Sequence, residues 1–286
     1  MAEADTSGSL VLRDFTKADA AAAQEISAAV GWPHRREDWL FAARLGTGIV
    51  AEWDGAVIGT AMAWRYGEDL AAIGLVTVAP AHQKRGLGQA MMQRLFAPLG
   101  ERRLLLHATQ AGTPLYRALG FRPAGTIRQC EGTAFRGDPV VLPEGERLRP
   151  LVRSDLAALK ALDREAFGAP RQALITALMA EARGVVLDRG GQPAGFAMLR
   201  RFGRGHVIGP VVAPDPRSAR ALIGHWLGSQ QGMLLRLDVP EESGLAAWLE
   251  NLGFAVSEPV EAMMRGVARP QGGATRRFAL VSQALG

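Results

Sequence analysis

A short stretch between a strand-like run and a helix-like run carries the residue types needed to hold an anion. The apolar run 73–78 is followed by a loop that contains Lys84, Arg85, Gly86 and Gly88, and apolar residues then recur at helical spacing. The first N–H groups of a helix have no intrahelical partner, and glycines let a ligand approach the backbone closely. This order of strand, glycine loop and helix start therefore predicts an anion site.

Two familiar phosphate loops do not fit this spacing. G-x-x-x-x-G-K-[ST] is absent, and G-x-G-x-x-G fails because Met91 stands where its third glycine belongs. The segment from Gln83 to Gly88 instead fits [RQ]-x-x-G-x-[GA] after a strand ending in V-x-P. It resembles the acetyl-coenzyme A (acetyl-CoA) pyrophosphate loop of the GNAT superfamily of N-acetyltransferases. Downstream, the segment Leu115–Phe121 is similar to the L-Y-x-x-x-G-F signature of that superfamily, so the resemblance covers roughly residues 10–135.

The resemblance implies that acetyl-CoA binds as co-substrate, with no metal, and that an amine attacks its acetyl group directly. A backbone N–H in the segment 76–78 would polarise the thioester carbonyl. The cofactor-binding residues implied are Val76, Thr77, Val78, Gln83, Lys84, Arg85, Gly86, Leu87, Gly88, Gln89, Thr109, Gln110 and Tyr116.

Two side chains are predicted to be catalytic. Tyr116 is the candidate general acid, because a phenol with an ordinary pKa of about 10 is protonated at neutral pH and can supply the departing thiolate with a proton. The alternative is a tyrosine that only packs. His107 ends the strand after the glycine-loop helix, at a place where similar two-domain proteins often have an acid, and its imidazole could accept the proton of the amine. The alternative is a satisfied core histidine.

The acceptor site is less well defined by the sequence. Candidates to wall an acceptor pocket are Trp32, Trp39, Trp53 and Trp64, although tryptophans at strand positions are commonly core residues. Candidates to hold an ammonium group are Glu52, Glu68 and Asp69. The other histidines show no metal-ligand spacing, and we predict no metal site.

The sequence contains an internal repeat. Arg13, Asp19, Gly48 and Gly59 recur 136 positions later as Arg149, Asp155, Gly184 and Gly195. A period of this length indicates a duplicated domain. We expect a tandem α/β protein with mixed sheets, made of an N-terminal domain (1–135), a linker (136–145) and a divergent C-terminal domain (146–286).

The two copies differ where the chemistry would take place. When the V-A-P segments are aligned, Gly86 and Gly88 fall opposite Arg220 and Leu222. Counting back from the G-F pair of each copy, Tyr116 falls opposite Leu249. We therefore expect the second copy to lack its own acetyl-CoA site and to help to form the acceptor site, with the acceptor between the halves.

Composition excludes several other classes. The net charge is +5, but the sequence has no basic run with aromatic residues between the charges, so we expect no nucleic-acid partner. No apolar run is long enough to span a membrane, and a single cysteine fits a reducing cytoplasm. The expected reaction is acetyl transfer to a primary amine of a small molecule. Transfer to a protein or peptide, and a non-catalytic CoA-binding sensor or scaffold, stay open alternatives, as does the oligomeric state.

Overall fold

The two halves of the chain form matching elements in the same order up to their final strands, and the second copy ends with one additional strand. The computed structural model describes residues 9–137, 140–267 and 273–286. The first copy consists of β1 (Leu10–Asp14), α1 (Ala20–Ala29), α2 (Arg36–Leu45), β2 (Thr47–Trp53), β3 (Ala56–Tyr66), β4 (Leu70–Val78), α3 (Leu87–Phe96), β5 (Arg103–Ala108), α4 (Thr113–Ala118) and β6 (Arg122–Thr133). The second consists of β7 (Glu146–Pro150), α5 (Leu156–Phe167), α6 (Gln172–Glu181), β8 (Arg183–Arg189), β9 (Gln192–Phe202), β10 (Gly205–Ala213), α7 (Pro216–Ser229), β11 (Leu234–Pro240), α8 (Leu245–Asn251), β12 (Ala255–Val256), β13 (Val260–Arg265) and β14 (Arg276–Ala279). This order confirms the predicted tandem α/β fold.

The chain divides into two compact units whose limits differ from those of the copies. The first unit contains the chain up to Arg65 and Ile73–Glu101, and the second contains Tyr66–Ala72 and Arg102–Gly286. The end of the first copy therefore belongs to the same unit as the whole second copy. The domain limits 1–135, 136–145 and 146–286 stay a prediction, and residues 1–8, 138–139 and 268–272 of these ranges lie outside the described part of the chain.

In the first unit, β1, β2 and β3 pair antiparallel. The part of β4 that belongs to this unit lies beside β3, since Ala79 donates its N–H to the Ile58 carbonyl oxygen at 2.8 Å. Helix α3 packs closely against this region. A Cβ atom at Gly59 would lie 3.0 Å from the Met91 methyl group and 3.2 Å from the Thr77 carbonyl oxygen. Because glycine has no side chain, position 59 lets α3 lie close to β3 and β4.

In the second unit, the strands are ordered from residues 70–72 of β4 through β5, β13, β6, β11, β10, β9 and β8 to β7. Two pairs are parallel, β4 with β5 and β10 with β11. The other neighbours in this order are antiparallel, so the sheet is mixed as expected.

The final strands of the two copies are exchanged. Strands β12 and β13 of the second copy correspond to β6 of the first, yet β13 lies between β5 and β6. Conversely, β6 pairs with β11 over its length from Ile127 to Thr133. Each copy thus completes its sheet with a strand from the other copy.

The repeat is also visible in a partly buried ion-pair arrangement. Arg13 on β1 contacts Asp19 at 2.8 Å and Glu52 at 2.7 Å, and its hydrogen bonds to Asp19 lower the pKa of that carboxyl. The second copy has the same arrangement 136 positions later, with distances of 2.8 Å from Arg149 to both Asp155 and Asp188. The shared geometry supports descent of both halves from one domain.

Candidate active site

The strand before the glycine loop contains a backbone irregularity. Leu75 has a φ of +52°, a conformation that residues with a side chain rarely adopt. Thr60 on β3 donates its hydroxyl to the Leu75 carbonyl oxygen at 2.8 Å. The segment 76–78, which was predicted to present a backbone N–H, follows directly after this irregularity. Leucine does not favour a positive φ, so the sequence does not indicate this irregularity or its bond to Thr60.

The predicted anion loop leads into an uncapped helix start. A single 3₁₀ turn, Pro80–His82, ends β4, and α3 begins at Leu87 with no side-chain cap from the described residues. The Gln83 amide donates to the Val78 carbonyl oxygen at 3.0 Å, which ties the loop to the end of β4. The structure therefore connects the end of β4 to the loop that precedes the N-terminus of α3.

Open space lies in front of this helix start. Gly86, the residue before α3, has a φ of +76°, and a Cβ atom built on it would meet nothing within 4 Å. Lys84 and Arg85 are exposed, and neither forms an ion pair within the described parts of the chain. Free N–H groups, two exposed cations and open space suit a polyanion such as a pyrophosphate.

Tyr116 is buried on the short helix α4. Its ring makes an edge contact with Phe121, with ring centroids 6.0 Å apart. A Cβ atom at Gly112 would lie 2.9 Å from a carbon of the Tyr116 ring, so this glycine makes room for it. Burial raises the pKa of the phenol above its ordinary value. Tyr116 therefore stays protonated at neutral pH, which is the state that a proton donor needs.

Thr109 and Gln110 lie before α4 and are exposed. The Thr109 carbonyl oxygen accepts the Gly112 N–H at 2.9 Å and the Thr113 N–H at 3.0 Å. The Thr109 hydroxyl accepts the Gly112 N–H as well, at 3.3 Å. Thr109 thus organises the turn that starts the helix carrying Tyr116.

His107 has a defined tautomer. Its Nδ1 lies 2.6 Å from the Gln283 carbonyl oxygen, and a carbonyl oxygen can only accept, so Nδ1 carries the proton. Nε2 is buried and has no hydrogen-bond partner among the residues that the structure describes. Burial, followed by the charge of Arg277, lowers the pKa of His107 to about 4. The ring is therefore neutral at physiological pH, with an available lone pair on Nε2.

Comparison with known proteins gives the family. A model described as "Acetyltransferase (GNAT) family" matches residues 13–121, and one described as "Acetyltransferase (GNAT) domain" matches residues 159–279. The chain is 31% identical over 222 residues to the "Uncharacterized N-acetyltransferase YitH" of Bacillus subtilis, covering 76% of this chain and 77% of the relative. The chain belongs to the GNAT family of N-acetyltransferases.

Solved structures show the same fold. A putative acetyltransferase from Pyrococcus horikoshii has a TM-score of 0.78 at 23% identity, covering 97% of this chain and 96% of that one. A tandem GNAT protein from the clavulanic acid biosynthesis pathway has a TM-score of 0.63 at 16% identity, covering 91% of this chain and 100% of that one. Two tandem GNAT domains are thus confirmed, as the sequence predicts.

As a GNAT protein, the chain is an acyltransferase enzyme, and its family uses acetyl-CoA as co-substrate and acts on an amine acceptor. The uncapped start of α3 fits the anionic part of this co-substrate. Within the described residues, no group of three or more His, Cys, Asp or Glu side chains is arranged to hold a metal ion. No helix in the described part of the chain is both long and apolar enough to cross a membrane.

The second GNAT copy has a different helix start. Helix α7 begins with Pro216, directly after Asp215, whose carboxylate accepts the Ser218 N–H at 2.8 Å. Arg220, which stands opposite Gly86, lies inside this helix. A carboxylate of the chain thus occupies the helix terminus that the first copy leaves open.

The strands of the second copy are also separated by a later part of the chain. Parallel pairing between β10 and β11 is limited to His206 and Val207 of β10, and β14 then pairs with β10 from Val211 onward. Leu280 donates its N–H to the Asp238 carbonyl oxygen on β11 at 2.8 Å. The gap between β10 and β11 is therefore filled by β14 and the residue after it.

The tryptophan candidates divide into two pairs. Trp39 and Trp64 are 0% and 1% exposed. The Trp39 indole N–H donates to the Ser27 hydroxyl at 3.3 Å, and the Trp64 indole N–H donates to the Ala42 carbonyl oxygen at 2.9 Å. These two are therefore core residues, which was the alternative to a place in the wall of an acceptor pocket. Trp32 and Trp53 are half-buried.

The acidic candidates for holding an ammonium group lie in different surroundings. Glu52 forms an ion pair with Arg13, and Glu68 and Asp69 are exposed.

Proposed function

We propose that the first copy transfers the acetyl group of acetyl-CoA to a primary amine of a small molecule, and that the second copy has no acetyl-CoA site of its own. The observation that carries this proposal is the contrast between the two helix starts. α3 begins uncapped behind Gly86, whereas α7 begins behind the carboxylate of Asp215. The proposal assigns catalysis to residues 1–135 and a supporting role to residues 146–286.

The loop would bind the pyrophosphate of the co-substrate. The amide groups at the start of α3, from Leu87 to Gln89, supply donors, and Lys84 and Arg85 supply charge. Gln83 would position the loop through its bond to Val78. Thr109 and Gln110, which are exposed before α4, would line the path of the pantetheine arm or the acceptor.

The reaction forms a C–N bond and breaks a C–S bond. The amine nitrogen attacks the thioester carbonyl, whose oxygen would be stabilised by a backbone N–H from the segment 76–78. The nitrogen must lose a proton, and the departing sulfur must gain one. His107 would accept the first through Nε2, directly or through water, and Tyr116 would donate the second.

The acceptor is proposed to be a small amine, and the reaction to take place in the cytoplasm. Glu68 and Asp69 are exposed after β3, and such acids attract cationic molecules. The one cysteine, Cys130, is a buried free thiol, which is compatible with a reducing compartment.

Calorimetric titration of the full chain with acetyl-CoA tests the proposal. We expect one site per chain, with CoA thiol released when a small-amine library is added and not when lysine-containing or N-terminally free peptides are added. Two sites per chain would contradict the assignment of the second copy. Binding without thiol release from any amine or peptide would contradict catalysis and favour a sensor.

A further inference from the structure

An open cleft lies in the second unit, and its wall contains none of the residues assigned to acetyl transfer. Its volume is about 840 Å³, within the range of about 300–1,000 Å³ that is typical of small-molecule sites. The wall consists of the end of β7 with the residues before α5, one face of α6, the start of β8 and the second half of α7. The dimensions of the cleft therefore suit a small molecule.

Much of the wall is apolar and accessible. Leu151, Leu156 and Met179 are half-buried, and Val152 has 50% of its surface exposed. Covering such surface contributes about 25 cal/mol per Å² of apolar area, and a methionine adapts its shape to an irregular ligand. These side chains favour a ligand with an apolar body.

The charges in the wall are positive. Arg153 and Arg183 are exposed, and neither forms an ion pair with a residue in the described ranges. His225 is neutral at neutral pH, because burial, followed by the charge of Arg183, lowers its pKa. Among the described residues no acid belongs to the wall, and Glu181, which ends α6, lies outside it. The charged group of the ligand should therefore be an anion.

Arg183 is oriented for such an anion. Its Nη2 donates to the side-chain oxygen of Gln230, and its guanidinium lies 5.5 Å from the centroid of the Trp226 ring. The other N–H groups of this guanidinium have no partner in the part of the chain that the structure describes. Donors held in a fixed fork match a carboxylate. The first copy has Thr47 at this position, so the cation is specific to the second copy.

The first copy also differs in the apolar part of this region. Positions 151 and 175 correspond, 136 residues earlier, to Phe15 and Trp39, whose rings are stacked with centroids 6.0 Å apart. The second copy has the smaller side chains Leu151 and Ile175 there, and Leu151 lies in the wall of the cleft. The replacement of two rings by aliphatic side chains thus accompanies the cleft.

We propose that this cleft binds a small carboxylic acid with an apolar body. The carboxylate meets the Arg183 guanidinium, and the apolar body lies against Leu151, Leu156 and Met179. The second copy is then a ligand-binding module. The proposal does not depend on acetyl transfer by the first copy, because the cleft lies within the second unit and is tested without acetyl-CoA.

NMR of the full chain labelled with ¹³C in its methionine methyl groups is the direct experiment, since Met179 is in the wall and its signal is assigned with Met179→Leu. The probes are octanoate, octylamine, which has the same chain and the opposite charge, and acetate, which has the same charge and no chain. We expect octanoate alone to shift the Met179 signal. An equal shift with octylamine or acetate, or no shift with octanoate at high millimolar concentration, would overturn the proposal.

The same spectra separate this cleft from the acetyl-CoA loop. Met91 and Met92 lie on α3, which follows that loop, and their signals are assigned in the same way with leucine variants. We expect these two signals to stay unchanged when octanoate is added. Shifts of Met91 and Met92 without a shift of Met179 would place octanoate in the first copy and contradict the proposed cleft.

Removal of the cation tests the role of Arg183. Arg183→Met should weaken octanoate binding by roughly ten- to a hundredfold, because a charge-assisted hydrogen bond is lost. Arg122→Met is the matched control, since Arg122 is also an exposed arginine at the start of a strand of the second unit, and it should leave binding unchanged. Wild-type affinity in Arg183→Met would contradict the assignment of the carboxylate.

An added negative charge gives a second test that does not alter Arg183. Ala180 is exposed on α6 in the wall of the cleft, and Ala180→Glu should weaken octanoate binding by roughly fivefold or more through charge repulsion. Ala173→Glu is the matched control, because Ala173 is exposed on the same helix, about 10 Å away along its axis and outside the wall. Both positions are exposed, so this pair keeps the test decisive if Arg183→Met does not fold. Equal octanoate affinity in the two variants would place the ligand outside the cleft.

Discussion

Nδ1 of His107 lies 2.6 Å from the carbonyl oxygen of Gln283, and this contact determines which ring nitrogen can accept a proton. Gln283 is itself anchored, since its side-chain amide donates to the Asp238 carboxylate at 3.1 Å. A residue far along the chain thus fixes the tautomer of the proposed base on β5. The orientation leaves Nε2 as the acceptor.

Stability should depend on pH through His107. Its pKa is lowered from 6.5 to about 4 in the folded protein, so between these values the unfolded chain binds a proton that the folded chain does not. The free energy of unfolding should therefore be at its full value above about pH 6.5 and decrease by a few kcal/mol as the pH falls towards 4. Urea unfolding of the wild type and His107→Gln at several pH values measures this. An equal pH slope in the variant would show that His107 is not the cause.

Blocking the glycine loop should abolish acetyl-CoA binding without a large loss of stability. Gly86→Glu places bulk and negative charge in the open space before α3, and we expect affinity to fall by roughly a hundredfold or more. Gly55→Glu is the matched control, because Gly55 has a φ of +79° and a Cβ atom built on it would also meet nothing within 4 Å. Both variants should carry a similar backbone cost of about 1–2 kcal/mol. Calorimetric titration should find normal affinity in Gly55→Glu alone, and normal affinity in both would show that the loop is misassigned.

Removal of the Tyr116 hydroxyl should slow the reaction and leave co-substrate affinity nearly unchanged. We expect Tyr116→Phe to lower kcat by roughly a hundredfold to ten-thousandfold, as for other general acids. The control is Tyr66→Phe, because the Tyr66 hydroxyl donates to the Leu285 carbonyl oxygen at 2.8 Å and is structural. That variant should lose about 1–2 kcal/mol of stability and keep its turnover at temperatures where it is folded. If kcat of Tyr116→Phe matches the wild type with an identified amine, Tyr116 has no catalytic role.

The cap of α7 should matter for stability and not for ligand stoichiometry. Asp215→Ala removes the acceptor of the Ser218 N–H and should cost about 1 kcal/mol, whereas Asp215→Asn retains an acceptor oxygen and should cost less. Because Arg220 lies within α7 and β14 fills the adjoining gap, we expect neither change to create a second acetyl-CoA site. Thermal unfolding and calorimetry of both variants check these statements. A stoichiometry of two would mean that the carboxylate alone had closed the second site.

The contact between β10 and the segment after β14 should tolerate no side chain. A Cβ atom at Gly209 would lie 1.8 Å from the Leu280 carbonyl oxygen, so Gly209→Ala should cost about 3 kcal/mol or more. Gly224 lies inside α7 with nothing within 4 Å, and Gly224→Ala should be neutral or stabilising by up to about 1 kcal/mol. Denaturant unfolding compares the two. A mild effect at position 209 would indicate that the segment can move away from β10.

Local chemistry made part of this protein predictable. The glycine loop, the helix after it and the duplication follow from residues close in sequence or repeated at one offset, and the family match confirms the fold that they indicate. The irregularity at Leu75 is not predictable, because leucine is no turn former and the bond that accompanies it comes from Thr60. The spacing of Trp39 on α2 and Trp64 on β3 does not distinguish a pocket wall from the core, and only the packing around them in the fold makes both core residues.

The exchange of β6 and β13 was not predictable either. Both are strands of the same repeat, and each could pair equally well within its own copy by pattern alone. Only the neighbours that they meet in the folded sheet decide the pairing, and those contacts join residues far apart in sequence, such as Ala108 and Glu261.

The strand exchange has a consequence for how the protein is made. During synthesis, β5 and β6 emerge long before β13, and β13 must insert between them. Until the second copy is synthesised, the first copy therefore has three unpaired strand edges, one on β5 and both on β6, and unpaired strand edges favour aggregation. The exchange also means that neither copy can be lost alone, since a truncation or recombination that removes one copy takes a strand from the sheet of the other.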